Sequence, residues 1–323
     1  MKRVSVEERG RDRRYHVSSA TRCNNHCVFC LEGHHAGTDL ELHRKVLRYD
    51  FLTPAKLSSY LDKLRDLAVP LLFTAGEPTI NPHLPELVAL ARARGHATIA
   101  LQTNGRMLAY EAFARRLVEE GVTEFSISVH GSRPEVHDAA TRVQGSFAQT
   151  MAGLANVLRL KERFRLRVAT STTLSRINRG DVENLLRLLL GWRGIDAIAL
   201  NPLVLQGNAL RGAEKLLLPY SEVVAEFRSA AVKLRREKAA GLDKVSLTDM
   251  PRCLLRRLEE FAGSFETVLY VEPDGSVAAP GPKIFFPGVK REACRSCRHF
   301  RSCTGIDPGY IRSFGWREFL PAS

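Results

Sequence analysis

The sequence predicts an α/β protein: a partial (β/α)6 barrel of the TIM type with a small cysteine-rich C-terminal domain. Three observations lead there. From residue 14 to about 240, short β-rich runs alternate with longer helical patterns, as βαβ units around a parallel sheet require. Six strands can be read, short of the eight that close a full barrel. Near residue 241 the rhythm fails, and four of the seven cysteines lie beyond it. The division is a basic tail over 1–13, the barrel over 14–240 and a second domain over 241–323.

The strands, in order, are "RYHVSSA" (14–20), "PLLFTAG" (70–76), "HATIALQT" (96–103), "TEFSISVHG" (123–131), "RLRVATSTT" (165–173) and "IDAIALNPLV" (195–204). Each is rich in β-branched or aromatic residues and short enough for a strand. The helix after the first strand begins in "LTPAKLSSYLDKLRDL", where Thr53 suits the N-cap and Pro54 the first helical position. Gly95 and Gly121 follow apolar-periodic runs and stop the next two helices. In "FSISVHG", alternation puts Phe125, Ile127 and Val129 on one face and Ser126, Ser128 and His130 on the other. The apolar face meets helices, so the polar face lines a lumen shaped to hold a ligand. Beyond residue 241 a hairpin is expected in "TVLYVEPDGSVAAP", turning at Pro273, Asp274 and Gly275.

Composition narrows the function classes. Hydrophobic residues are 44% and charged residues 26% of 323, ordinary for a globular protein. No run reaches about 18 apolar residues and the N-terminus lacks a secretory pattern, so a cytoplasmic protein with reduced thiols and no membrane partner is expected. Seven is an odd cysteine count, which favours metal or catalytic use over a disulfide framework. The net charge of +13 suits an acidic peptide or a phosphorylated substrate. It also admits nucleic acid, although no RNA-binding signature accompanies it.

Three cysteines, Cys23, Cys27 and Cys30, fall in "TRCNNHCVFCLEG" directly after the first strand. Barrels of this kind collect their chemistry at the C-terminal ends of the strands, and thiolates at this density are iron-sulfur or zinc ligands. Three of them cannot fill the four corners of a [4Fe-4S] cube, so one iron is left open.

The spacing C-x3-C-x2-C, with Phe29 before the last cysteine, resembles the signature of the radical S-adenosylmethionine (SAM) enzymes. "TAGEPTINP" after the second strand resembles that family's Gly-Gly-Glu-Pro motif: Gly76, Glu77 and Pro78 match, and Ala75 stands where a glycine is usual. "QTNG", "SISVHG" and "NPLVLQGNA" resemble segments lining the family's cofactor or substrate site, which carries expectations to Thr103, Asn104, Ser128 and Asn201. The resemblance implies that the open iron chelates SAM and that a reduced cluster cleaves it to methionine and a 5'-deoxyadenosyl radical, which abstracts hydrogen from the substrate. It also implies an external electron donor such as flavodoxin or ferredoxin. His130, at the end of the polar face, is the candidate catalytic residue, with a hydrogen-bonded structural histidine as the alternative. His26 reads as a loop residue, and His137, Asp138 and Arg142 are explained by helix capping and surface contacts.

Cys253, Cys294, Cys297 and Cys303 make a closed set of four. The stretch C-x2-C-x5-C resembles part of the auxiliary-cluster extension of radical SAM enzymes, called SPASM in its two-cluster form and twitch in its shorter one. Pro280 and Asp307 stand where the longer form would place cysteines, so one auxiliary [4Fe-4S] cluster is the expected count, with zinc on the same four thiolates as the alternative. The first function hypothesis is therefore a radical SAM enzyme acting on a peptide or small metabolite by oxidation, C–C or C–S bond formation, or epimerisation. The competing ones are a radical SAM enzyme that modifies tRNA or rRNA and a non-enzymatic iron-sulfur or zinc sensor or scaffold. GTP cyclisation resembles the architecture too, but "REFLPAS" lacks the paired glycines typical of that family.

Overall fold

The structure, a computed structural model, describes residues 13–31, 50–64, 66–263, 267–271, 281–282 and 288–322. The basic tail up to residue 12, the hairpin turn at 273–275 and Pro280 lie outside them. All six expected strands form: β1 (Arg13–Ser18), β2 (Leu71–Thr74), β3 (Ile99–Thr103), β4 (Glu124–Ser128), β5 (Arg167–Leu174) and β6 (Ala197–Pro202). Each pairs in parallel with the next.

The sheet is wider than the sequence suggested. A three-residue strand, β7 (Val245–Leu247), adds to β6, and β8 (Thr267–Tyr270) adds in parallel to β1, with β9 (Gly281–Pro282) antiparallel beyond it. Among the described residues the order is β7-β6-β5-β4-β3-β2-β1-β8-β9, an open sheet of nine strands in which only the last pair is antiparallel. The expected hairpin is therefore also a sheet extension: its first arm pairs with β1.

Among the described residues eight helices have seven or more residues: α1 (Pro54–Leu61), α2 (Leu84–Ala93), α3 (Glu111–Glu120), α4 (Pro134–Thr141), α5 (Ser146–Lys161), α6 (Val182–Gly191), α7 (Tyr220–Arg236) and α8 (Pro308–Phe314). Thr53 caps α1, its side chain accepting from Lys56 N at 3.4 Å, with Pro54 in the first turn. Gly121 ends α3 at φ 135°, a conformation a side chain resists. Asp138 on α4 caps the following helix, accepting from Gly145 N, Phe147 N and Ser146 Oγ. None of the described helices is long and apolar enough to cross a membrane.

Strand alternation separates core from lumen. Phe125, Ile127 and Val129 are buried under the helices, while Ser126 and Ser128 are only partly covered on the opposite face. Ion pairs of Glu124 lie at the N-terminal end, with Arg14 at 2.7 Å and Arg167 at 4.0 Å. The hollow opens at the C-terminal ends of the strands, where the loops bring in the cysteines.

Candidate functional site

The loop bearing Cys23, Cys27 and Cys30 has almost no regular structure, so its shape is imposed by its neighbours. The backbone N–H groups of His26 and Val28 donate to Thr141 O and Ala140 O, at 2.9 and 3.0 Å, satisfying carbonyls at the C-terminal end of α4. The Arg106 guanidinium donates to Asn24 O and to Asn25 Oδ1. On the far side, Asn208 N donates to Cys30 O at 2.9 Å and Asn208 Nδ2 to Cys27 O at 3.0 Å. Gly207 lies against this contact: a Cβ there would stand 2.3 Å from Cys30 O and from Leu31 O.

The second loop is laid against the first. Glu77 N donates to Arg22 O at 2.8 Å, and a Cβ on Gly76 would stand 2.4 Å from the same carbonyl. Ala75 takes φ 66°, a left-handed conformation that glycine adopts without cost. Pro78 opens a short 3-10 turn, Pro78–Ile80, buried behind it.

Glu77 joins three segments. Its side chain is buried, and its carboxylate accepts from Thr79 N, Thr79 Oγ1, Thr103 Oγ1 and Asn104 N. Burial pushes its pKa up against the pull of those four hydrogen bonds. Asn104 then reaches the cysteine loop, its Nδ2 donating to Asn24 Oδ1 at 2.6 Å and approaching Cys23 Sγ at 3.9 Å. A line of hydrogen bonds thus runs from β2 through β3 to Cys23.

The three thiols suit a metal group. Burial drives Cys23 far up, helped by the Glu77 charge, and pushes Cys27 up to about 12, helped by Cys30. Thiols in this position ionise when a metal compensates their charge. The carbonyls that hold the loop face Gly207 and Asn208, and Asn25 N donates to Cys23 Sγ at 3.3 Å. The donor set fits a three-thiolate iron-sulfur site.

His130 is buried and electrically neutral. Thr173 N donates to its Nδ1 at 3.3 Å, which leaves the proton on Nε2. Its ring stands edge-on to Phe29 with centroids 4.8 Å apart, and its backbone N–H donates to His137 Nδ1 at 3.1 Å. Burial lowers the pKa of His130 to about 3 and that of His137 to about 4. Above about pH 6.5 both are neutral in either state and add no pH dependence. As pH falls below that, the unfolded chain binds protons the folded chain refuses, so stability drops by about 1.4 kcal/mol per pH unit for each histidine, until about pH 4 for His137 and about pH 3 for His130. Urea midpoints at pH 7 and pH 5 measure the slope; one that His130→Asn and His137→Asn leave unchanged would refute this assignment.

Asn201 is held by the sheet: its Nδ2 donates to Ser171 Oγ at 2.9 Å and its Oδ1 accepts from Thr248. Ser128 pairs in register with Ser171 on the lumen side. Sequence reasoning singled out neither Asn208, Gly207, Arg106 nor Thr248. The signal for the first two lay in "QGNA", the glycine-asparagine pair inside a segment already quoted.

The four C-terminal thiols meet in one cavity. Cys253, Cys294, Cys297 and Cys303 all line it, together with Trp316, Phe319, Leu320 and Pro321. Burial pushes Cys253 up to about 11, with further contributions from the neighbouring Cys303 and Cys297. Gly305 N donates to Cys303 Sγ at 3.3 Å.

Residues 17–189 match the sequence profile of the Radical SAM superfamily. The chain is 30% identical over 169 residues to Fe-coproporphyrin III synthase of Methanosarcina barkeri, covering 52% of this chain and 38% of that protein. It is 28% identical over 167 residues to AdoMet-dependent heme synthase of Nitratidesulfovibrio vulgaris (51% and 41%) and 29% identical over 150 residues to GTP 3',8-cyclase of Xanthomonas axonopodis pv. citri (45% and 42%). The matches span about two fifths of the length of these curated relatives. Among solved structures, native anSMEcpe with bound AdoMet superposes with a TM-score of 0.64 at 15% identity over 95% of both chains. Streptococcus suis SuiB bound to precursor peptide SuiA gives 0.59 at 12% identity over 96% of this chain and 75% of that one. At these identities the likeness is one of fold.

Proposed function

The chain belongs to the radical SAM superfamily, and on that premise we propose that it is an enzyme that abstracts hydrogen from a peptide or a small metabolite. When bound, a [4Fe-4S] cluster and SAM supply a 5'-deoxyadenosyl radical able to attack an unactivated C–H bond. Cys23, Cys27 and Cys30 would hold the cluster; three thiolates leave one of its four corners for SAM. The observation that carries the reading is the hydrogen-bonded line Glu77–Thr103–Asn104–Cys23, which locks the cysteine loop to the sheet at the lumen's mouth.

The protein's own work is positioning. Above the Glu124 ion pairs, the described lumen positions on β3 to β6 are small or neutral: Gln102, Ser126, Ser128, Ser171, Thr173 and Asn201. Such a lining hydrogen-bonds amide and hydroxyl groups, and it supports a neutral polar reacting part in the substrate. His130, neutral and bonded to β5, supports Phe29 and through it the loop. Surface ion pairs such as Arg94 with Asp62 and Arg187 with Glu183 and Glu237 tie part of the arginine charge to helix faces.

The second site is proposed as one auxiliary [4Fe-4S] cluster on Cys253, Cys294, Cys297 and Cys303, in a twitch-like region over 241–323. Four thiols lining one cavity support a closed four-thiolate site, which a cube fills with one thiolate per iron.

Anaerobic reconstitution with SAM and dithionite tests the reading. About eight irons per chain and formation of 5'-deoxyadenosine are expected, by the counts of four irons per cube. A fully iron-loaded chain that makes no 5'-deoxyadenosine refutes the enzyme reading, and about four irons refutes the auxiliary cluster. In the cell an external flavodoxin- or ferredoxin-type donor would replace dithionite.

A further inference from the structure

One wall of the four-thiol cavity is the short segment Phe319–Ala322, and its attachments are unusual for a loop. Phe319 and Ala322 are buried, although Leu320 between them is exposed. Ala322 N donates to Cys297 Sγ at 3.4 Å, and Arg298 N donates to Ala322 O at 2.8 Å, so the segment runs beside Cys297 like one rung of a sheet. Two guanidinium groups hook its other carbonyls: Arg291 Nη2 donates to Phe319 O at 2.6 Å and Arg256 Nη2 to Pro321 O at 2.8 Å.

The origin of the hooks matters. Arg256 follows Cys253 by one turn of chain, and Arg291 precedes Cys294 by the same step. The thiols therefore come from two chain segments far apart in sequence, and each segment sends an arginine to the same strap. Phe319 anchors the strap from below, its ring edge-on to Tyr220, Tyr310 and Trp316 at centroid distances of 6.1, 5.7 and 6.0 Å.

We propose that Phe319–Ala322 closes the four-thiol site, and that Arg256 and Arg291 are positioning residues that hold it shut and clamp the two cysteine-bearing segments together. This rests on reading the four thiols as a metal site. The strap shields the Cys297 side of a bound metal group from water and chelators, and lifting it breaks both charge-assisted hydrogen bonds. Loss of one hook should speed metal release about tenfold and loss of both about a hundredfold, since each such bond is worth roughly one decade in an equilibrium.

The test uses the full chain with Cys23→Ala, Cys27→Ala and Cys30→Ala, so that all metal belongs to the four remaining thiols. It is loaded anaerobically with iron and sulfide, and release to bathophenanthroline is timed. Arg256→Ala and Arg291→Ala are expected to accelerate release singly and more so together. Arg256→Lys and Arg291→Lys, which keep a charged donor, should restore most of the retention, and Arg312→Ala, on the exposed side of α8, should change nothing. In a companion chain with Cys253→Ala and Cys303→Ala, the same hook variants should leave release from the N-terminal site unaltered, whereas general loosening would speed both. Equal release rates with and without the hooks overturn the strap alone. A parent chain that takes up no metal overturns the four-thiol reading with it, and uptake shows this before any release is timed.

Discussion

Gly207→Ala is expected to cost the N-terminal site its metal group as completely as Cys30→Ala does. Gly207 sits at φ 54° and ψ −126°, a region that side chains essentially do not enter. Its added Cβ would stand 2.3 Å from two carbonyl oxygens, Cys30 O and Leu31 O, and backbone cannot rotate away as a side chain would. The chain must part there, which breaks the bond from Asn208 N to Cys30 O and moves Cys30 away from its partners. A displacement of about 1 Å at a reacting group costs on the order of a hundredfold in rate, so 5'-deoxyadenosine formation should fall at least that far. Iron analysis should show about four irons fewer per chain, with the C-terminal site untouched. Wild-type iron content with wild-type turnover would show that the glycine is incidental.

Glu77→Gln should destabilise the barrel as well as the site. The carboxylate takes four hydrogen bonds while buried, and the amide can offer only one oxygen to them. At least one of Thr79 N, Thr103 Oγ1 and Asn104 N then faces a second donor in a dry environment. The expected loss is about 2–4 kcal/mol, the cost of one or two buried donors left unmet. Asn104 loses its anchor and the loop loses its link to Cys23, so SAM-dependent turnover should fall in parallel with the urea midpoint. A variant of unchanged stability would mean that Glu77 serves the cofactor rather than the loops.

The site was legible in the sequence where chemistry demands a residue type. Metal ligands must be thiolates, so Cys23, Cys27 and Cys30 announced themselves, as did the buried acid in "GEP". The six strands were legible because each is a short run rich in β-branched or aromatic residues between longer helical patterns, and in β4 the burial also alternates with period two. The groups that hold the ligands in place were not. Asn208, Arg106 and Thr141 act through backbone atoms of residues remote in the chain, and neither backbone acceptors nor approach distances leave a pattern in one sequence. The strand β7 escaped for a related reason: three residues are too few for periodicity to show, and pairing with β6 is what makes them a strand.

His130 marks the same boundary. Alternation placed it at the end of the polar face, where a catalytic and a structural histidine look alike. The bond from Thr173 N and the packing against Phe29 and His137 set its tautomer and keep it neutral, and none of those partners is near it in sequence except His137.

By itself the sequence determined the family, the parallel α/β architecture and the two sets of thiols, because periodicity and ligand chemistry are local properties of residue type. Only the tertiary structure decided that Glu77 is spent on three loop segments, that Gly207 and Asn208 clasp Cys30, and that Phe319–Ala322 runs beside Cys297. Each of these is a contact between distant segments, and its energy exists only once folding has brought a donor to within bonding distance of a carbonyl or a sulfur.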